Sequence, residues 1–171
     1  MKNYDIYVYD EKCRYVLGKK SNSILLCIGI NPSIATDKKA DRTIKKLENI
    51  IKFNNYESFV MLNIYPEIST NPNKLPYGYN VDIHNKNLEY INHILCEYKN
   101  VDILACWGNL INIREYLHVL LKDIFTQDKF NKTRKWLCLG VTKTNNPRHP
   151  LYLKNDTKIM HFDMKKYLCK N

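Results

Sequence analysis

Ile24-Leu25-Leu26-Cys27-Ile28-Gly29-Ile30-Asn31-Pro32-Ser33 decides how the chain folds. From Ile24 to Ile30 the run is continuously apolar. A strand with one wet face alternates apolar and polar residues. An unbroken apolar run of this length is a strand covered on both faces, as in a parallel sheet packed between helices. Asn31-Pro32-Ser33 ends it, because proline has no N–H for a strand ladder and asparagine suits turns.

Working outward, the same unit recurs. Asp41 to Phe53 has apolar Ile44, Leu47, Ile50 and Ile51, a helical spacing, with Asp41 suited to cap its start. Phe59 to Ile64 is a second apolar strand, closed by Tyr65-Pro66. A loop rich in Asn and Pro runs from Glu67 to Asp82, and Asn87 to Tyr98 reads as a helix. Val101 to Trp107 is the third strand, ended by Gly108-Asn109; Leu110 to Phe125 is a helix; Trp136 to Val141 is the fourth strand. Thr142 to Asn171 holds a loop, a short strand near Lys158 to Phe162, and a terminal turn or helix. On the N-terminal side, Tyr4 to Tyr9 and Arg14 to Leu17 flank the turn Asp10-Glu11-Lys12, which reads as a hairpin. Four strand–helix alternations predict an α/β fold, a three-layer α/β/α sandwich around a four-stranded parallel sheet. The expected organisation is a single domain over 1–171, with the N-terminal β-hairpin (1–22) as an appendage to a core at 23–171.

At 171 residues the chain is long enough for one domain with its own core. Hydrophobic residues make up 44% and charged residues 26%, which excludes disorder and collagen. No apolar run reaches the ~18 residues of a membrane helix. Met1-Lys2-Asn3-Tyr4-Asp5 lacks a secretory h-region, so a cytoplasmic monomer with no membrane partner is expected. The net charge of +10 points to a polyanion, nucleic acid first, although Lys supplies 22 of the 27 cations and AT-rich coding produces the same bias. The six cysteines include no CxxC pair, so buried thiols rather than a zinc site are expected, with no metal and no cofactor.

In a parallel sheet of this kind, ligands bind beyond the carboxyl ends of the strands. Here those ends carry Gly29-Ile30-Asn31-Pro32-Ser33, Asn63 with Tyr65-Pro66, Trp107-Gly108-Asn109, and the segment from Thr142 to Tyr152 with Pro147-Arg148-His149-Pro150. Amides, a histidine and an arginine converge on one rim. GxGxxG, GxxxxGK[ST], HExxH and GxSxG are all absent, so dinucleotide, P-loop, zinc and acyl-serine chemistry have no support. An amide carries both a donor and an acceptor, which suits the edge of a heterocycle.

These residues resemble the uracil-DNA glycosylase superfamily. Ile24 to Pro32 is similar to the strand of its mismatch-specific uracil/thymine branch that ends in G-I-N-P-G. Val60-Met61-Leu62-Asn63 looks like its L-L-N strand end, Leu104-Ala105-Cys106-Trp107-Gly108 like its L-L-W-G strand, and His149-Pro150-Leu151 like its H-P-S-P-L motif. Ser33 stands for the last Gly of the first motif and Leu151 for the serine of the last. An alternative alignment puts Asn146-Pro147 on that branch's N-P-S-G. The chain is also similar over nearly its full length to an uncharacterised bacterial and phage family with N-P-S-x-A, D-x-T-I and P-R-H-P-L-Y.

The resemblance implies a DNA glycosylase that hydrolyses the N-glycosidic bond of a flipped-out uracil, mismatched or modified base, in duplex or single-stranded DNA. It implies Asn31 as the residue positioning water and His149 as the donor to the departing base. Gly29, Ile30, Pro32, Ser33, Asn63 and Tyr65 would form the base pocket, and Lys143, Asn146 and Arg148 would contact DNA. Asp37 and Asp41, just after the first motif, are candidates to assist. A non-catalytic nucleic-acid binder and an N-glycosyl hydrolase of free nucleosides or nucleotides remain as alternatives.

Overall fold

A computed structural model describes residues 3–170. Seven strands, β1 (Ile6–Tyr9), β2 (Arg14–Gly18), β3 (Ile24–Gly29), β4 (Ser58–Asn63), β5 (Ile103–Ala105), β6 (Trp136–Cys138) and β7 (Met160–His161), form one sheet in the order β1-β2-β4-β3-β5-β6-β7. The helices are α1 (Arg42–Phe53), α2 (Val81–Glu97), α3 (Tyr116–Gln127) and α4 (Met164–Leu168).

The protein is a mixed α/β fold. Neighbours β4, β3, β5 and β6 pair in parallel, but β1, β2 and β7 are antiparallel to their neighbours. The expected four-stranded parallel sheet is therefore corrected to a seven-stranded mixed one. The hairpin is likewise part of the sheet rather than an appendage: Leu17 and Gly18 pair with Met61 and Val60. This pairing covers the edge of β4 that would otherwise expose unpaired N–H and C=O groups. The approach is close enough to require glycine, since a Cβ on Gly18 would meet the Phe59 carbonyl oxygen at 2.7 Å.

Successive side chains of a strand point to opposite faces. Leu25, Cys27, Phe59, Met61 and Leu104 pack with Ile44, Leu47, Ile50 and Ile51 of α1 on one face. Leu26, Ile28, Val60, Leu62 and Ile103 pack with Leu88 and Ile91 of α2 and Leu117, Leu120 and Leu121 of α3 on the other. This two-sided burial is why β3 reads as an unbroken apolar run.

Two helix boundaries differ from expectation. α2 begins at Val81, earlier than the apolar spacing indicates, because the Asn80 side chain caps it by accepting from the N–H groups of Asp82 and Ile83. The helix expected from Leu110 is split. A 3-10 turn occupies Gly108–Ile113, Arg114 is extended, and α3 starts at Tyr116. Arg114 is held out of the helix because its guanidinium donates to the carbonyls of Asn73, Leu75 and Pro76, pinning the long loop after β4.

From β3 the chain crosses by α1 to β4 on one side, then returns by α2 to β5 on the other. Strand order thus reverses beside the carboxyl end of β3, which opens a crevice there.

Candidate functional site

That crevice is a cavity of about 1090 Å³, walled by the carboxyl ends of β3, β4 and β5, the segment after β6, and the first turn of α1. Gly29, Ile30, Asn31, Ser33, Asn63, Arg148 and His149 all line it. The structure therefore brings together seven of the residues expected at the site.

Asn63 ends β4 and is 3% exposed, yet its Nδ2 has no partner among the described residues. A buried unpaired N–H costs about 1–3 kcal/mol, so the position is held against folding stability. Gly29 makes the space: a Cβ there would stand 3.2 Å from Asn63 Oδ1. The Asn63 carbonyl is taken by Asn87 Nδ2 at 3.0 Å, which fixes the backbone while the side-chain donor stays uncommitted.

Asn31 is committed differently. Its Nδ2 donates to the carbonyls of Pro32 (3.0 Å) and Ser69 (3.0 Å), with Glu67 O at 3.4 Å. Three carbonyls around Nδ2 orient the amide unambiguously and leave Oδ1 as an acceptor for a ligand or water. The same bonds clip the loop after β4 to the end of β3.

His149 Nδ1 accepts from the Leu151 N–H at 3.3 Å, so the neutral ring carries its proton on Nε2, as a donor. Burial pushes its pKa below the ordinary 6.5, and Asp41 partly opposes this. Protonating Nδ1 would also set a donor against the Leu151 N–H. Gly108, at φ +62°, lets β5 end this close, since a Cβ there would lie 3.0 Å from His149 Cβ. Because the folded pKa lies below the unfolded value, the folded state binds fewer protons between the two. The stability His149 contributes is thus present above pH 6.5 and lost as pH falls through that window. We expect the imidazole of His149, followed by NMR, to titrate below 6.5; titration at or above 6.5 would contradict the buried neutral donor.

Asp41 lines the cavity and caps α1, with Oδ1 accepting from the Ile44 N–H at 2.9 Å. Asp37 does not line it, and its backbone carbonyl accepts from the N–H groups of Asn3 and Tyr4.

Four expected contacts are placed elsewhere. Tyr65 is fully buried in the core, where its ring meets Tyr116 and its hydroxyl accepts from the Asn80 N–H, so it cannot stack on a base. Asn146 is buried beneath the segment after β6, donating to Asn109 Oδ1 and accepting from the Tyr167 hydroxyl, so it positions that segment rather than touching DNA. Pro32 is buried and Lys143 is exposed; neither lines the cavity. Asn109, in the turn after β5, is a hub: its Oδ1 accepts from Thr142, Thr144 and Asn146.

Arg14 is a cavity residue that no strand-end motif marks. It sits on β2, lines the cavity, and is 3% exposed. The sequence held one signal for it, a charged residue set between Cys13 and the apolar Tyr15-Val16-Leu17. With Lys39, Arg42, Lys45 and Arg148, five cationic side chains line the cavity against one carboxylate, Asp41. The exposed Tyr152 (84%) and Ile34 (63%) stand among its lining residues as accessible apolar surface.

Among the described residues no group of three or more His, Cys, Asp or Glu is arranged to hold a metal ion. All six cysteines are free. No described helix is long and apolar enough to cross a membrane.

Over residues 14–151 the chain matches a family described as "Protein of unknown function (DUF1643)". That span runs from the cavity arginine on β2 to the turn after His149, and so includes every strand end that lines the cavity. Comparison with curated proteins and with solved structures gave no match.

Proposed function

We propose that this chain, which belongs to the DUF1643 family of unknown function, is a DNA glycosylase of the uracil-DNA glycosylase type. Its cavity would receive a nucleotide turned out of the helix and hydrolyse the bond between base and sugar. The observation that carries this reading is the buried, unpartnered Nδ2 of Asn63 in the wall of a cation-lined cavity. The Asn63 amide has no hydrogen bond at Nδ2 to lock it, so it can turn about its Cβ–Cγ bond to present a donor to the carbonyl oxygens of a pyrimidine edge. The cationic lining suits the phosphates on either side of the base.

In this mechanism the bond from sugar C1′ to the base nitrogen breaks and its electron pair leaves with the base. The Nε2–H of His149 donates to the base as negative charge develops, and its depressed pKa keeps it a neutral donor at physiological pH. A water on the opposite face of the sugar is oriented by Asn31 Oδ1 and adds to C1′. Asn31 cannot accept the water's proton, so the reaction is slow and the proton passes to solvent or to the uncapping oxygen of Asp41.

The test is cleavage of labelled duplexes carrying U:G, T:G, 5-hydroxymethylcytosine or glucosylated cytosine beside an undamaged control, with alkali to break abasic sites. Cleavage of one modified duplex is expected, falling about 10²-fold or more in Asn31→Ala. No cleavage of any duplex would overturn the reading. A second reading, a nucleic-acid binder without chemistry, is favoured by the amide at Asn31, which has no carboxylate to take the proton of an attacking water. It predicts no cleavage and binding that weakens steeply with salt.

A further inference from the structure

Two arginines are buried in this fold, and they are treated differently. Arg134 has its charge met by Asp128 at 2.9 Å and donates to the carbonyls of Leu95, Tyr98 and Val101. Arg14, equally enclosed, donates from Nη1 to the Ala35 carbonyl at 2.8 Å; its Nε has no partner, and no carboxylate pairs with it among the described residues. Asp41 acts on Arg14 through space but makes no ion pair with it, and a buried cation held by no ion pair is costly, whereas Arg134 has its own carboxylate. Arg14 differs from Arg134 in one further respect, since it lines the cavity.

A second feature opens on the same cavity. The first turn of α1 presents Arg42, Thr43 and Ile44 there. Asp41 satisfies only the N–H of Ile44, leaving those of Arg42 and Thr43 with no partner among the described residues. The amino end of a twelve-residue helix favours an anion.

We propose that Arg14, together with the first turn of α1, is a phosphate-binding subsite, and that the cavity's ligand is a nucleotide held by its phosphate rather than a free nucleoside. The planar guanidinium offers parallel donors that match phosphate oxygens. The hairpin's incorporation into the sheet gains a purpose from this, because it brings β2 and its arginine to the cavity wall. The proposal rests on the nucleotide reading of the site but not on hydrolysis, since binding is read without turnover.

The experiment measures binding of inorganic phosphate, thymidine and thymidine 5′-monophosphate by calorimetry at constant ionic strength, with melting temperature alongside. Phosphate is expected to raise the melting temperature of the wild-type protein, and the monophosphate to bind more tightly than thymidine. Arg14→Gln is expected to abolish the phosphate effect and to weaken the monophosphate roughly ten- to a hundredfold, leaving thymidine unchanged. If Arg14→Gln fails to fold, Arg14→Lys decides: weaker phosphate binding from a point charge in place of the fork supports the subsite, and unchanged binding overturns it. No phosphate effect in the wild-type protein, an effect that survives in Arg14→Gln, or equal affinity for thymidine and its monophosphate would each overturn it. Cleavage of DNA with no phosphate binding would sink the subsite alone; phosphate binding with no cleavage would sink the glycosylase alone.

Discussion

Replacing Asn63 by alanine is expected to lower the proposed base excision by about 10²–10³-fold while leaving the protein as stable as before, within about 1 kcal/mol. Two opposed effects produce the small stability change. Alanine leaves a void where the amide packed beside Gly29, which destabilises. It also removes a buried Nδ2 donor with no partner, which stabilises by a similar amount. On the proposed activity nothing offsets the loss, because the amide proposed to meet the base is gone. Thermal unfolding and single-turnover cleavage of the same preparation check both halves. A large fall in melting temperature would mean that Asn63 is part of the scaffold, and unchanged cleavage would remove it from the site.

Trp107→Ala is expected to cost about 3–5 kcal/mol and to lower the melting temperature by roughly 6–20 °C. Trp107 is fully buried at the end of β5, in contact with the rings of Trp136, Phe162 and Tyr167. Its Nε1 donates to the Tyr167 hydroxyl, which donates to Asn146 Oδ1, and Asn146 Nδ2 donates to Asn109. This chain of bonds runs from α4 to the segment that carries His149. The substitution therefore loosens the site as well as the core. Trp107→Phe keeps most of the ring and loses only the N–H, so its melting temperature falls between the two. Denaturant unfolding gives the free energies; a Trp107→Ala protein within about 1 kcal/mol of wild type would contradict the packing described.

The elements of the parallel block were legible because their causes are local. Continuous apolar runs at β3 and β4 follow from helices on both faces, and Asp41 announced the cap of α1. Asn31, Asn63 and His149 were legible as residues at strand ends, where such a sheet puts its ligands. Tyr65 and Asn146 misled for the same reason: they lie next to site residues in sequence, but their side chains turn into the core. The position of Asn146 shows how little one residue's spacing says, since a buried network and a solvent-facing contact look alike until the partner, Tyr167, is known.

By itself the sequence determined the α/β alternation, the apolar centre of the sheet and the polar character of its carboxyl ends. Those depend on periodicity and on turn chemistry, which act over a few residues. Only the tertiary structure decided that the hairpin joins the sheet beside β4, that Arg14 reaches the cavity, and which amide atoms are spent and which are left over. Each of these depends on contacts between residues distant in the chain: Leu17 with Met61, Arg14 with Ala35, Asn31 with Ser69. No local pattern specifies such contacts, because they form only when the whole sheet brings their partners together.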